Sequence, residues 1–172
     1  MKQRYPNVMG PIIIFILISG ALVWWVTSLT NDDLWWFWRS FTAQADWIVV
    51  YWDGETHMLF PGDPDYDEIM DVFADAVAHW SGYENGIGLS DENLARYRNE
   101  WRLLELYYNE PVTVHTRHLF PEARAFFVPI SGTHAQWRRV FSGLIDKPRI
   151  GVLNVSPERF EYLTTIIEQV VQ

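Results

Sequence analysis

The chain has 172 residues, of which 49% are hydrophobic and 16% aromatic, and its net charge is −9. That supply of apolar residues suits one folded domain plus an appendage and excludes a disordered chain. There is no Cys, which excludes disulfides, thiolate metal sites, iron–sulfur clusters and thioether-attached haem.

The charge is unevenly spread. Residues 1–31 carry Lys2 and Arg4 and no acid, so of 13 basic and 22 acidic residues, 11 basic and 22 acidic lie beyond that point, a balance of −11. An acidic body repels nucleic acid and anionic headgroups, and no nucleic-acid partner is expected.

The first element is an uncharged apolar run, Gly10 to Leu29. About 20 apolar residues suffice to cross a bilayer, and backbone groups in lipid must bond internally, so a transmembrane helix is expected over 10–30. Pro11 is tolerated in a first helical turn. Lys2 and Arg4 precede the run and Asp32 and Asp33 follow it. The positive-inside rule then puts residues 1–9 in the cytoplasm and the rest outside. The expected location is a bacterial inner membrane, crossed once, with the C-terminal domain in the periplasm or at the cell exterior. A cleaved signal peptide shares the basic start and the apolar run, with Val26 to Ser28 as a weak cleavage site. The length of the run, and Trp24 and Trp25 just before that site, favour an uncleaved anchor. A buried core helix is a third reading.

Residues 31–45 form an aromatic juxtamembrane segment. Trp35, Trp36, Phe37 and Trp38 are consecutive, and Trp favours the membrane–water interface, where its ring is apolar and its N–H stays wet. Arg39 is placed to snorkel toward headgroups or water. A helix continuing here puts Leu34, Trp38 and Phe41 on one face and Trp36 and Phe37 on others. A helix apolar on all sides needs cover on all sides. Lipid and the body are two covers, and membrane helices of a partner are a third. An aromatic belt alone, and a belt plus a protein contact, both remain open. The candidate interaction residues, toward the lipid bilayer or a partner, are Trp24, Trp25, Trp35, Trp36, Phe37, Trp38, Arg39 and Phe41.

The body covers 46–172. Ile48 to Trp52 and Thr56 to Phe60 alternate around Asp53-Gly54, a strong hairpin turn. Asp63 is a candidate N-cap with Pro64 at the first position of a helix whose stripe is Ile69, Val72, Phe73, Ala76, Val77 and Trp80. Ser81 to Ser90 is Gly-rich and is expected to be a loop, with Ser90 capping a short helix. The stretch from Trp101 to Thr116 suggests two strands around Asn109 to Pro111. Three more strands follow, within 123–132, 136–144 and 148–155. Ser156 and Pro157 then open a last helix with Phe160, Leu163, Ile166, Ile167 and Val170 on its apolar face. The expected class is α+β: a mainly antiparallel sheet with two to three helices packed on one of its faces.

Chemical motifs are weak. Asp63, Asp65 and Asp67 alternate as in a calcium loop, but Glu68 stands where Gly is needed and Ala74 where a bidentate Glu is needed. His115 and His118, with Glu122 beyond, offer ligands for a metal. On one strand the two rings would point to opposite faces, so a site requires the chain to leave the strand before His118. No nucleophile elbow or dinucleotide fingerprint is present, and neither a cofactor nor a metal is expected. Trp47, Trp52, Trp80, Trp101, Trp137, Tyr107 and Tyr108 fit a core or an interface equally well. The functional expectation is a non-enzymatic single-span accessory subunit. It would stabilise a multi-subunit membrane complex, such as a respiratory or photosynthetic electron-transfer assembly, by docking its helix and covering the complex's outer face. The alternative is a membrane-anchored signalling or envelope-regulatory protein whose outer domain binds a peptide or protein partner.

Overall fold

In the computed structural model, which describes residues 9–31, 33–38, 40–115, 122–145 and 147–171, the sheet begins as a tight hairpin. Strands β1 (Trp47–Trp52) and β2 (Glu55–Leu59) pair antiparallel with Trp52 opposite Glu55. Asp53 and Gly54 both take positive φ, 49° and 90°, which gives the turn a twist that matches the strands. Arg102 locks the turn from outside. It donates to both Asp53 carboxylate oxygens, at 2.9 and 2.6 Å, and stacks 3.9 Å from the Trp52 ring.

Helix α2 (Tyr66–Ala78) starts two residues later than a cap at Asp63 would give. The Asp63 carboxylate is committed elsewhere: it accepts from Phe60 N at 2.7 Å and closes the preceding turn. Asp67 and Glu68 still occupy the first helical turn, where negative charge suits the dipole. The alternating acids are therefore a turn and a helix start. The Gly-rich stretch contains a short strand, β3 (Gly82–Asn85), that pairs with β7 (Lys147–Asn154). Gly82, Glu84 and Asn85 are poor strand formers, and the ladder of β7 supplies the order. Ser90 caps α3 (Asp91–Asn99), its hydroxyl accepting from Asn93 N at 3.2 Å.

The expected turn at Asn109 to Pro111 is absent. A single strand, β4 (Leu103–Val112), runs through it. Asp46 takes the place of a ladder partner, accepting from Asn109 N and Nδ2 at 2.6 and 2.7 Å. The register against β5 (Ala123–Pro129) shifts between Tyr107 and Val112, and that bulge absorbs Pro111, which has no N–H to give. A 3-10 turn (Ala135–Trp137) leads to β6 (Arg139–Leu144), then β7, then α4 (Pro157–Val170). Among the described residues the seven strands are all antiparallel, in the order β2-β1-β4-β5-β6-β7-β3.

Both faces of the sheet are covered, and this corrects the expectation of helices on one face. Leu104, Leu106 and Tyr108 of β4 join the larger core beneath α2 and α4. Leu103 and Tyr107 point the opposite way and join a smaller core beneath α3, with Leu94 and Tyr97. The short helix expected after Ser90 buries only Leu94 and Tyr97, too few for the sequence to show which face of the sheet it covers. Phe41 plugs the larger core at 6% exposure, edge-on to Phe73, Tyr108 and Phe126. The smaller core holds a buried charge. Glu105 is fully buried and accepts from Arg98 Nε at 2.8 Å and from the Tyr107 hydroxyl at 2.6 Å, while Arg98 Nη2 donates to that hydroxyl at 3.0 Å.

Arg98→Ala strands the Glu105 charge and is expected to cost about 3–5 kcal/mol in chemical denaturation, whereas Arg98→Met with Glu105→Leu recovers most of it. Phe41→Ala is expected to cost about 3–5 kcal/mol by the same measurement, as a buried aromatic should.

Candidate interface at the base of the N-terminal helix

Helix α1 (Met9–Asn31) has no polar face and almost no protein cover. Its apolar side chains stand bare from Ile12 to Leu29, with Phe15 71% exposed and Leu29 67% exposed. It is long and apolar enough to cross a membrane. One residue near its end departs from this pattern: Ser28 is buried, at 4% exposure.

The helix does not continue through the Trp cluster. After Asn31 the chain turns, and Asp33 organises the turn. Asp33 N donates to Ser28 O at 3.2 Å, and its Oδ1 accepts from Trp35 N at 2.8 Å. Trp38 N then donates to Trp35 O at 2.7 Å. Asp is well suited to such a site because its side chain substitutes for a backbone acceptor. The second oxygen, Oδ2, lies 2.9 Å from His115 Nδ1, three residues past the end of β4. A carboxylate can only accept, so Nδ1 carries the proton of that bond, and in the neutral ring Nε2 is left as an acceptor. The Asp33 side chain is 9% exposed and that of His115 29%, so the pair is shielded from screening water.

This clamp separates two hollows that share Trp35 and His115. The larger, about 520 Å³, lies between α1 and the sheet and is lined by Trp25, Ser28, Leu29, Leu34 and Thr113 together with the shared residues and Asp33. The smaller, about 310 Å³, adds Trp38 and Ser40. Around them the aromatic side chains face outward: Trp25 is 52% exposed, Trp35 60%, Phe37 49% and Trp38 63%. Trp24 is less open, and its ring is tilted against Trp25 at 6.4 Å. Trp36 is half-buried and meets Phe37 edge-on, with its indole N–H buried and without a hydrogen-bond partner among the described residues.

The structure thus brings together Trp25, Trp35, Phe37 and Trp38 as an exposed ledge. It removes Phe41 from the group, because that ring is core. Arg39 and His118 lie outside the described residues. Glu122 is exposed, and β4 ends before His115, so the strand geometry that would split His115 from His118 does not apply. Among the described residues no three His, Cys, Asp or Glu side chains gather as a metal site. The sequence singled out His115 only as a metal-ligand candidate and did not link Asp33, His115 and Ser28. Asp33 and His115 are 82 positions apart, with no local pattern to link them. Ser28 looks like any small residue of an apolar run.

A second groove, about 300 Å³, opens on the α3 side of the sheet among Trp47, Tyr51, Met58, Arg98 and Ile145. His134 also sits in an aromatic setting, with Nδ1 3.0 Å from the Tyr97 hydroxyl. Burial and the charge of Arg139 hold its pKa below the usual value, and it acts there as a packing residue. Comparison of the chain with protein-family models, curated proteins and solved structures gave no match.

The Asp33–His115 contact is expected to show a coupling of about 1–3 kcal/mol in a double-mutant cycle of Asp33→Ala and His115→Ala. Either single change should speed limited proteolysis between residues 31 and 45.

Proposed function

We propose that the chain is a membrane-anchored, non-enzymatic interaction protein that serves as an accessory subunit of a larger membrane complex. In this reading α1 crosses the bilayer once, residues 1–8 stay on the cytoplasmic side, and the acidic α+β body sits on the outer surface. A 23-residue helix is about 34 Å long, enough for a hydrocarbon core of about 30 Å. Lys2 and Arg4 before it, against Arg39 alone among residues 32–46, support that direction.

The observation that carries the proposal is the aromatic ledge beside a bare helix. Trp25, Trp35, Phe37 and Trp38 are exposed together, and the Asp33 clamp fixes the turn that presents them. Rigid aromatic surface that needs no ordering on contact is what protein interfaces favour. The partner would be the membrane helices of neighbouring subunits, with lipid covering the remainder of α1. Respiratory and photosynthetic electron-transfer assemblies are hosts of this kind.

The signalling alternative rests on the groove of Trp47, Tyr51 and Met58, which would take a peptide from a partner's outer domain. It predicts exchange of partners, where a subunit keeps a fixed stoichiometry.

Trp35→Ala with Trp38→Ala is expected to leave folding intact, because both rings are mostly exposed, while lowering co-migration with a large complex. Mild-detergent extraction, size fractionation and mass spectrometry measure this. Wild-type chain migrating alone, near its own mass, would overturn the subunit reading.

A further inference from the structure

The larger hollow beside the Asp33 clamp combines two properties that rarely coincide. Its walls toward α1 are aromatic and apolar, with Trp25, Leu29 and Trp35. Its floor is a set of hydrogen-bonding groups with capacity to spare. Asp33 has used two of its lone-pair sites, on Trp35 N and His115 Nδ1, and a carboxylate has about four. The hollow also lies at the C-terminal end of α1, where the helix dipole adds partial negative charge. No Lys or Arg is among the described residues that line it.

Ser28 is the independent sign that something belongs there. It is 4% exposed and lines the hollow, and its hydroxyl has no hydrogen-bond partner among the described residues. A serine deep enough to lose water normally finds a partner, most simply the carbonyl four residues back. Thr30 does bond back in that way, to Val26 O at 2.8 Å, and Ser28 does not.

We infer that this hollow holds the headgroup of an amine-bearing zwitterionic phospholipid, with the ammonium donating to Asp33 and the Ser28 hydroxyl between the Trp faces. The inference rests on the reading of α1 as a membrane span. Trp25 stands six residues before the helix end, about 9 Å along the axis, so the hollow lies at headgroup depth with its apolar side toward the acyl chains. Aromatic faces attract a cation, the carboxylate accepts its N–H groups at charge-assisted strength, and the acidic body disfavours a purely anionic lipid. A quaternary ammonium would gain the aromatic contact and lose the hydrogen bonds, so ethanolamine is preferred over choline.

The test uses the purified full chain in nanodiscs of equal phosphatidylethanolamine, phosphatidylcholine and phosphatidylglycerol, released for native mass spectrometry. One phosphatidylethanolamine per chain is expected, favoured over each of the other two by about tenfold, the value of one hydrogen bond to a charged group. Trp25→Leu and Asp33→Asn should each abolish the preference. Ser28→Ala should weaken it without lowering the melting temperature in discs of phosphatidylcholine alone, which separates a binding role from a structural one. Equal retention of the three lipids, or a preference untouched by Trp25→Leu and Ser28→Ala, overturns the inference. So does a protein side chain cross-linked from within the hollow in place of lipid. Alkaline extraction of native membranes keeps the two readings apart. A chain released by carbonate defeats the span itself, and a retained chain without lipid preference defeats only the headgroup site.

Discussion

Asp33 reconciles two elements with opposite demands. Helix α1 is apolar on every side, and the body that follows is an ordinary two-layered core with polar surfaces. The chain passes from one to the other in a few residues, and it must end a helix, reverse direction and fix an orientation within that length. One carboxylate does this by accepting from the Trp35 amide with one oxygen and meeting His115 with the other. The first contact is local and shapes the turn. The second is long-range and ties the turn to the end of β4. A shorter side chain would lose the reach, and an Asn could keep both contacts only with the other His115 tautomer, its Nδ2 donating to Nδ1.

Behind that joint the sheet is asymmetric. Two amphipathic helices and Phe41 seal one face with a continuous apolar layer. The other face carries one nine-residue helix and a buried Glu105. A buried carboxylate is tolerated because Arg98 and Tyr107 each donate to one of its oxygens, and the low dielectric that makes the group expensive also strengthens those bonds. The α3 side of the sheet is therefore held by polar specificity where the α2–α4 side is held by area. It leaves the groove at Trp47 and Met58 open at the β1–β2 end.

What the sequence revealed and what it hid divide along contact range. The β1–β2 hairpin, the Ser90 cap, the last helix and the long apolar helix are each encoded in one contiguous stretch, and each appears where local chemistry puts it. The features missed depend on remote partners. β3 is a strand only because β7 lies beside it. β4 runs through Pro111 only because Asp46 satisfies Asn109 from outside. The start of α2 moved because Asp63 had a nearer donor in Phe60. At the candidate interface, composition exposed the aromatic ledge but not its support. Phe41 belongs to the same aromatic run as Trp38, and nothing local separates an outward ring from one that meets Phe73, Tyr108 and Phe126. The signal that sorts them is the turn at Asp33, and that turn is stabilised from 82 positions away.

The segment between the helix and the first strand has a mechanical meaning. It is pinned at Asp33 by His115, at Phe41 by the core, at Ala45 by a hydrogen bond from the Tyr66 hydroxyl and at Asp46 by Tyr107 O. A chain fastened at four points along so short a path acts as a welded bracket and not as a hinge. Through these fastenings a change in the inclination of α1 is passed to the sheet and its two cores.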